Sequence, residues 1–555
     1  MTRSAIETRY SGWQLTTVIF ILCLAADAPR GHCGETRLNG HVFTLPDGYE
    51  IEHVAGPPLV NRPISADFDD HGRLYVTDSS GSNENVKIQL EKRPHRIVRL
   101  EDADGNGTFE NGTVFAEGLM FPEGALWHDG SFYVAAPPQI WKFTDTDDNG
   151  VCDKREIWFD GKTLTGCAND LHGPYLGQDG WIYWCKGAFA EQHYEQSGRT
   201  PLVTRAAHIF RRHPSGGPIE PVMTGGMDNP VEVVFTQGGE RIFSTTFLQH
   251  PGNGLRDGLI HAVYGGIYGK VHGVLEGHPR TGPIMPVLSH LGAAAPCGLA
   301  RLESAQLGNA YQHNVMACLF NMHKISRHIL SRNGATFAAR VEDFLVSDNL
   351  DFHPTDVLED ADGSLIVVDT GGWYKLCCPT SQLSKPDILG GIYRVRKTNS
   401  HQIPDPRGNQ IEWNSLSASQ LSDLLAANRF AVRNRARRML ANHETGSLEA
   451  VSTLRTSGNA AQRLQAVWSL CQISGAQARA GVREALQDEN ATVRQAALHA
   501  TSLWRDVLAE PRLLEMLQLK SAPNRRAAAE ALGRIGTETA AKAVVEAAAN
   551  STDRI

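Results

Sequence analysis

The sequence predicts an all-β six-bladed β-propeller followed by an all-α solenoid of paired helices. Two periods carry this reading: a strand–turn–strand unit recurs near every 60 residues through the first four hundred, and helical pieces then recur every 30 to 31. One architecture cannot hold both periods. The composition agrees. With 555 residues, 41% hydrophobic and 21% charged, the chain is too long for a lone module and too apolar for wholesale disorder.

The first 28 residues place Arg3 and Arg9 ahead of an apolar run, Leu15 to Ala26, and end in Ala26-Asp27-Ala28. This reads as a secretory signal peptide over 1–28 and predicts an exported protein, periplasmic or associated with the cell envelope. Pro29 is awkward just past a cleavage site, which leaves an uncleaved anchor as the alternative. Eight further Cys lie between Cys33 and Cys378, an even set that permits disulfides without dictating their pairing. The neighbours Cys377 and Cys378 read either as a vicinal disulfide or as two packed thiols. No C-x-x-C-H occurs, so covalent haem in this chain is not expected.

Six stretches over 40–397 build the propeller. They are ADFDDHGRLYVTD, GALWHDGSFYVAA, YLGQDGWIYWCKG, VVFTQGGERIFSTTF, the degenerate ARLESAQLGNAYQHNVMACLF, and VLEDADGSLIVVDTG. Their turn glycines, Gly72, Gly130, Gly180, Gly239 and Gly363, supply the positive φ that tight hairpins need. Each first strand is preceded by a Pro- or His-bearing entrance, and in a propeller these entrances converge on one mouth of the central channel. The polar set expected there is Arg62, Glu123, Asp170, His172, Asp228, Asn229, Glu232, His353 and Asp356. Convergent polar groups at a mouth make a candidate site.

Two loops match a calcium-binding pattern. DADGNGTFE offers Asp102, Asp104, Asn106 and Glu110 around Gly107, and TDTDDNGVCDKRE offers Asp145, Asp147, Asn149, Asp153 and Glu156 around Gly150. Alternating oxygen ligands about a glycine turn wrap a hard cation. The second match is the fuller, since Glu156 stands at the twelfth position; the alternative is a solvated Asp/Asn turn.

A linker over 398–411 leads to residues 412–555, where Arg433, Arg463, Arg494 and Arg525 repeat within helical pieces. These resemble HEAT repeats, so the second half is an all-α HEAT-type solenoid, and the basic positions read as solvated or stacking arginines. The chain stops at NSTDRI, which reads as the opening of a further repeat. Residues 412–555 carry 18 Lys and Arg against 14 Asp and Glu, and the earlier part carries 35 against 47. An acidic propeller predicts no nucleic-acid binding, which needs a basic face.

From ADFDDHGRLYVTD through DADGNGTFENGTVFAEGL, HGPYLGQDGWIYW, GGMDNPVEVVF and FHPTDVLEDADGSLIVVDTGGWYKLCCP to GGIYRVRK, the chain resembles the membrane-bound dehydrogenase domain proteins of planctomycetes and verrucomicrobia. The resemblance spans 40–397 and includes the HEAT segment that follows. Members often end in a c-type cytochrome domain, which this sequence does not show, so the resemblance implies that this electron acceptor is either absent or supplied by another chain, such as a separate cytochrome c.

More distantly, the propeller is similar to soluble glucose and sorbosone dehydrogenases, which use pyrroloquinoline quinone (PQQ) and Ca2+. There His172 matches the catalytic base and Asn229 the second member of an Arg-Asn pair, while Asp228 stands where the Arg would be. The turn Gly265 to Gly269 reads G-G-I-Y-G, preceded by His250-Pro251 and Asp257. The implied roles are His172 and Asp170 in catalysis and Arg62, Glu123, Asn229 and His353 toward the cofactor, with a sugar or polyol as substrate. The other reading is a noncatalytic, calcium-stiffened propeller that binds carbohydrate or protein, with the solenoid holding a protein partner. At His172 itself, a base and a residue capping its strand turn are both open.

Overall fold

The computed structural model describes residues 33–166, 170–195, 200–249, 253–372, 385–443, 446–553 and 555. The expected signal segment, Cys377-Cys378 and His250-Pro251 lie outside them. Among the described residues no helix is long and apolar enough to cross a membrane, and Cys152, Cys185, Cys297, Cys318 and Cys471 are free thiols.

The blades begin with the strands Pro63–Phe68, Leu126–His128, Leu171–Leu176, Asn229–Phe235, Pro296–Arg301 and Pro354–Glu359. Each pairs antiparallel with a second strand, and the first strands neighbour one another around a closed ring, the sixth returning to the first. Second strands such as Leu74–Asp78, Ile182–Lys186 and Leu365–Asp369 are buried at every position because blades cover both faces. The turns between first and second strands follow the sequence reading. At the first, Asp69 Oδ1 accepts N–H groups of His71, Gly72 and Arg73, and Gly72 holds φ +100°.

The ring is sealed in a way that local pattern does not show. Tyr49–Ala55 pairs antiparallel with Gly391–Lys397 and becomes the outer strand of the sixth blade. The hairpin of Cys33–Leu38 and His41–Pro46 extends the fifth blade through Thr336–Ser347. Chain start and propeller end are thus tied by backbone hydrogen bonds.

A HEAT-like solenoid follows, beginning at Ala418–Leu424 and ending at Glu538–Ala549. Side-chain caps set its helix starts: Ser417 with Gln420 and Asn459 with Gln462 form capping boxes. The periodic arginines are neither solvated nor merely stacked. Arg433 donates to the carbonyls of Ala427 and Asn428, Arg494 to those of Asp488 and Glu489, and Arg525 to those of Leu519 and Lys520. Arg463 likewise takes the Gly458 carbonyl, together with the Asp488 carboxylate. Each ties down carbonyls that the preceding turn leaves unpaired.

The solenoid packs across the turn end of the propeller. Arg438 grips both oxygens of Asp70 at 2.6 Å, His499 Nε2 meets Asp179 at 2.8 Å, and Trp468 Nε1 donates to the Gln237 carbonyl at 3.0 Å. Arg526 pairs with Glu240, whose carboxyl is pushed far down because that guanidinium and His261 outweigh its burial. The turn glycines serve this contact too. A Cβ on Gly239 would lie 2.8 Å from the Trp468 ring.

Candidate functional site

The channel has two ends: an inlet where the first strands begin, and an opposite end under the solenoid. Close backbone approach assembles the inlet. Gly173 N–H donates to the Glu123 carbonyl at 2.9 Å, and a Cβ on Gly124 would fall 2.4 Å from the Gly173 oxygen. Only glycine tolerates that contact, which brings Glu123 of the second blade beside His172 of the third.

His172 Nδ1 lies 3.4 Å from Glu123 Oε2, and Nε2 lies 3.0 Å from the Asn229 side-chain amide of the fourth blade. Burial drives the imidazole down to about 4, against the amide contact, which raises it. The ring is therefore neutral at physiological pH and carries one N–H. The atom of Asn229 that faces Nε2 is Oδ1, which can only accept, so the ring N–H sits on Nε2 and Asn229 fixes the tautomer. Nδ1 keeps its lone pair as the basic atom, 3.4 Å from Glu123 Oε2.

The other expected residues have different partners. Asp170 Oδ2 accepts from the N–H and hydroxyl of Thr165, at 2.8 and 2.9 Å, so the orientation of the His172 ring falls to Glu123 and Asn229 instead. Arg62 reaches the Pro386 carbonyl, and its backbone N–H donates to Asp78 at 2.7 Å. His353 Nδ1 donates to the Gly371 carbonyl at 2.7 Å and its ring packs on Phe320; burial brings it to about 4. Asp228 is paired with Lys270 at 2.5 Å. Glu232 and Asp356 do not face the inlet. They line the far end of the channel and clamp blades, Asp356 taking the Ala66 N–H at 2.9 Å and Glu232 that of Leu299.

Two buried groups escaped the sequence reading. Lys186 ends a second strand and donates to the carbonyls of Gly187, Ala190 and Ala206; burial lowers it to about 8. Asp67 takes the Trp127 N–H at 2.8 Å, and burial raises it to about 7. Its signal was the position: an acid on an inner strand, as in Asp356 and Glu232.

PQQ, the cofactor implied by the resemblance, is a tricarboxylate and needs cations with free donors. Among the described inlet residues, Lys186 spends its donors on carbonyls, and Lys270 and Arg256 are committed to Asp228 and Asp257. Arg62 and Lys186 have no carboxylate among the described residues within 4 Å, and Arg62 leaves Nε unpartnered, while Glu123, Asp170 and Asp228 add negative charge. This donor set does not fit the quinone.

The two acidic loops occupy equivalent outer hairpins of the first two blades, at the solenoid end and away from the inlet. One carboxylate oxygen each from Asp102, Asp104 and Glu110 lies within 4.8 Å of the others, and the same holds for Asp145, Asp147 and Asp153. Oxygen-only sets of this kind fit a hard cation. Glu156 is a correction. It pairs with Lys154 at 2.9 Å on the strand Lys154–Asp160, because the chain re-enters the sheet at Lys154 and does not turn into a helix. Asn106 and Asn149 serve the turns, accepting the N–H groups of Thr108 and Val151.

A family described as "Domain of unknown function (DUF7133)" matches residues 38–399, and the PBS lyase HEAT-like repeat matches 525–550. No curated protein matches the chain. Among solved structures, the chain is similar to a putative oxidoreductase (glucose dehydrogenase) from Thermus thermophilus, with 18% identity over 63% of this chain and 100% of that one, at TM-score 0.44. It is similar to the PQQ domain of pyranose dehydrogenase from Coprinopsis cinerea in its holo form (12%, 65% and 98%, TM-score 0.43). A third is the soluble aldose sugar dehydrogenase of Escherichia coli in its apo form (13%, 63% and 99%, TM-score 0.40). Likeness at this level says nothing about which substrate or cofactor this chain takes.

Proposed function

The chain belongs to the DUF7133 family, and from that premise we propose that it is an exported oxidoreductase that acts on a sugar or polyol hydroxyl at the propeller inlet. The observation that supports this reading is the Glu123–His172–Asn229 arrangement: a buried, neutral imidazole with a carboxylate at one nitrogen and an amide at the other. A base of this kind takes the hydroxyl proton at Nδ1 while Glu123 steadies the resulting imidazolium. Asn229 Oδ1 holds the ring by accepting from Nε2–H. Alcohol oxidation also releases a hydride. The donor set does not fit PQQ, so the reading assigns the hydride to a diffusible two-electron acceptor of the quinone or flavin class, which then passes its electrons one at a time to a separate cytochrome c. Ca2+ at the two acidic loops braces the outer blades.

The second reading, a noncatalytic binding module, is favoured by one fact: both His172 nitrogens already have protein partners. The test is a panel of sugars and polyols offered with an artificial electron-accepting dye, with Ca2+ throughout and with PQQ present or absent, beside calorimetric titration of the same compounds. Turnover of any panel member supports the oxidoreductase. Binding without turnover supports the module.

A further inference from the structure

We propose that the channel chamber beneath the solenoid is a second ligand site, which takes a small oxyanion, carboxylate or phosphate, on Arg435, Arg437 and the indole N–H of Trp127. The chamber has a volume of about 440 Å³, the size of a small-molecule pocket, and is walled by inner strands on one side and the helix Phe430–Asn442 on the other. From His172 to Gln178, which lines it, the strand and its turn run about 20 Å, so it is separate from the inlet. The inference is independent of the reading of His172.

Two donors in the walls lack an acceptor. Arg435 Nη1 and Trp127 Nε1 are buried and have no hydrogen-bond partner, and neither group can accept one. Leaving such donors unpaired is costly, and a ligand oxygen removes the cost. Arg437 is enclosed yet meets only neutral amides, those of Gln465 and Asn434, and burial brings it down to about 10. Nearby carboxylates are shared out. Asp70 is held by both its oxygens to Arg438, and Glu303 serves Arg301 with Arg433 at 3.7 Å.

The acids across the chamber, Asp67, Glu232, Asp356 and Glu359, make no ion pair within 4 Å with Arg435 or Arg437. Burial raises Asp67 to about 7 and Asp356 to about 6, lifts Glu232 well above the usual carboxylate range, and each already accepts a backbone N–H from the next blade. Arg435, stacked 4.5 Å over the Trp413 ring, and Arg437 both border the chamber, and guanidinium forks match a planar or tetrahedral oxyanion.

The test uses the full chain at pH 7. Thermal melts in sodium phosphate and in sodium succinate are compared with sodium chloride at equal ionic strength. A saturable rise in Tm of about 2–4 °C is expected with at least one anion. A response to phosphate alone identifies phosphate chemistry, and one to succinate alone identifies carboxylate. The rise should vanish in the double variant Arg435→Gln/Arg437→Gln and shrink in Trp127→Phe, which keeps the ring stacked on Tyr75. No rise beyond chloride in the parent, or an undiminished rise in a folded variant, overturns the proposal. If the double variant fails to fold, Trp127→Phe decides alone, and a response equal to the parent's overturns it.

Discussion

At the scale of single residues, the inlet turns on which nitrogen of His172 is basic. Because burial holds the ring at about 4, activity under the proposed reading should be flat from neutral pH downward and fall only as pH approaches 4, when the base protonates. Glu123→Gln removes the carboxylate that steadies the imidazolium. It should lower kcat by about 10- to 100-fold with little change in KM, measured as steady-state kinetics on the best panel substrate. An unchanged kcat would remove Glu123 from the mechanism. His172 and Asn229 could be named from sequence because each stands at the start of an inner strand. The orienting role of Asp170 could not be judged, since two residues of separation say nothing about where a turn points the carboxylate. That depends on Thr165, which captures it.

Among the elements, the outer loops and the channel acids make separate demands. If Asp102, Asp104 and Glu110, and likewise Asp145, Asp147 and Asp153, share an ion, binding to the folded form alone stabilises it, so chelation should lower Tm. Asp145→Asn should blunt that response, and Glu156→Gln should leave it intact. Loss of the response in Glu156→Gln would restore Glu156 as a ligand. The motif spacing located both loops, but an EF-hand template assumes a helix after the loop, and a strand carries the twelfth position elsewhere.

The channel acids titrate the other way. Asp67 and Asp356 have folded values of about 7 and 6, raised from an ordinary 3.8. A raised folded value means that the folded state holds the proton more tightly, so this stability is full below about pH 4 and is lost as pH rises toward 7. Asp356→Asn keeps an acceptor for the Ala66 N–H without the charge. Its melting temperature should decline less between pH 5 and 8 than the parent's, and an equal decline would mean that this carboxyl does not titrate in the channel.

Over the whole molecule, the propeller and solenoid share a buried polar seam. The pairs Arg526–Glu240, His499–Asp179 and Arg438–Asp70 join residues far apart in sequence, and removing one partner of a buried pair strands the other. Glu240→Ala should therefore cost about 3–5 kcal/mol in denaturant unfolding, and a loss under 1 kcal/mol would mean the seam is solvated. The two periods made both architectures legible, along with the turn glycines. Their docking was hidden, because Asp179 and Glu240 look like turn residues until a helix from three hundred residues on is laid across them. The N-terminal strand Tyr49–Ala55 hid for the same reason, its partner lying at Gly391–Lys397. If this composite carries a proton-abstracting base at its inlet, His172→Gln, which keeps much of the hydrogen bonding but not the base, removes it. In dye-linked oxidation of a panel sugar or polyol, kcat/KM of the variant should fall by about 100-fold or more while its melting temperature stays near the parent's. Activity within a few-fold of the parent would contradict this role of His172.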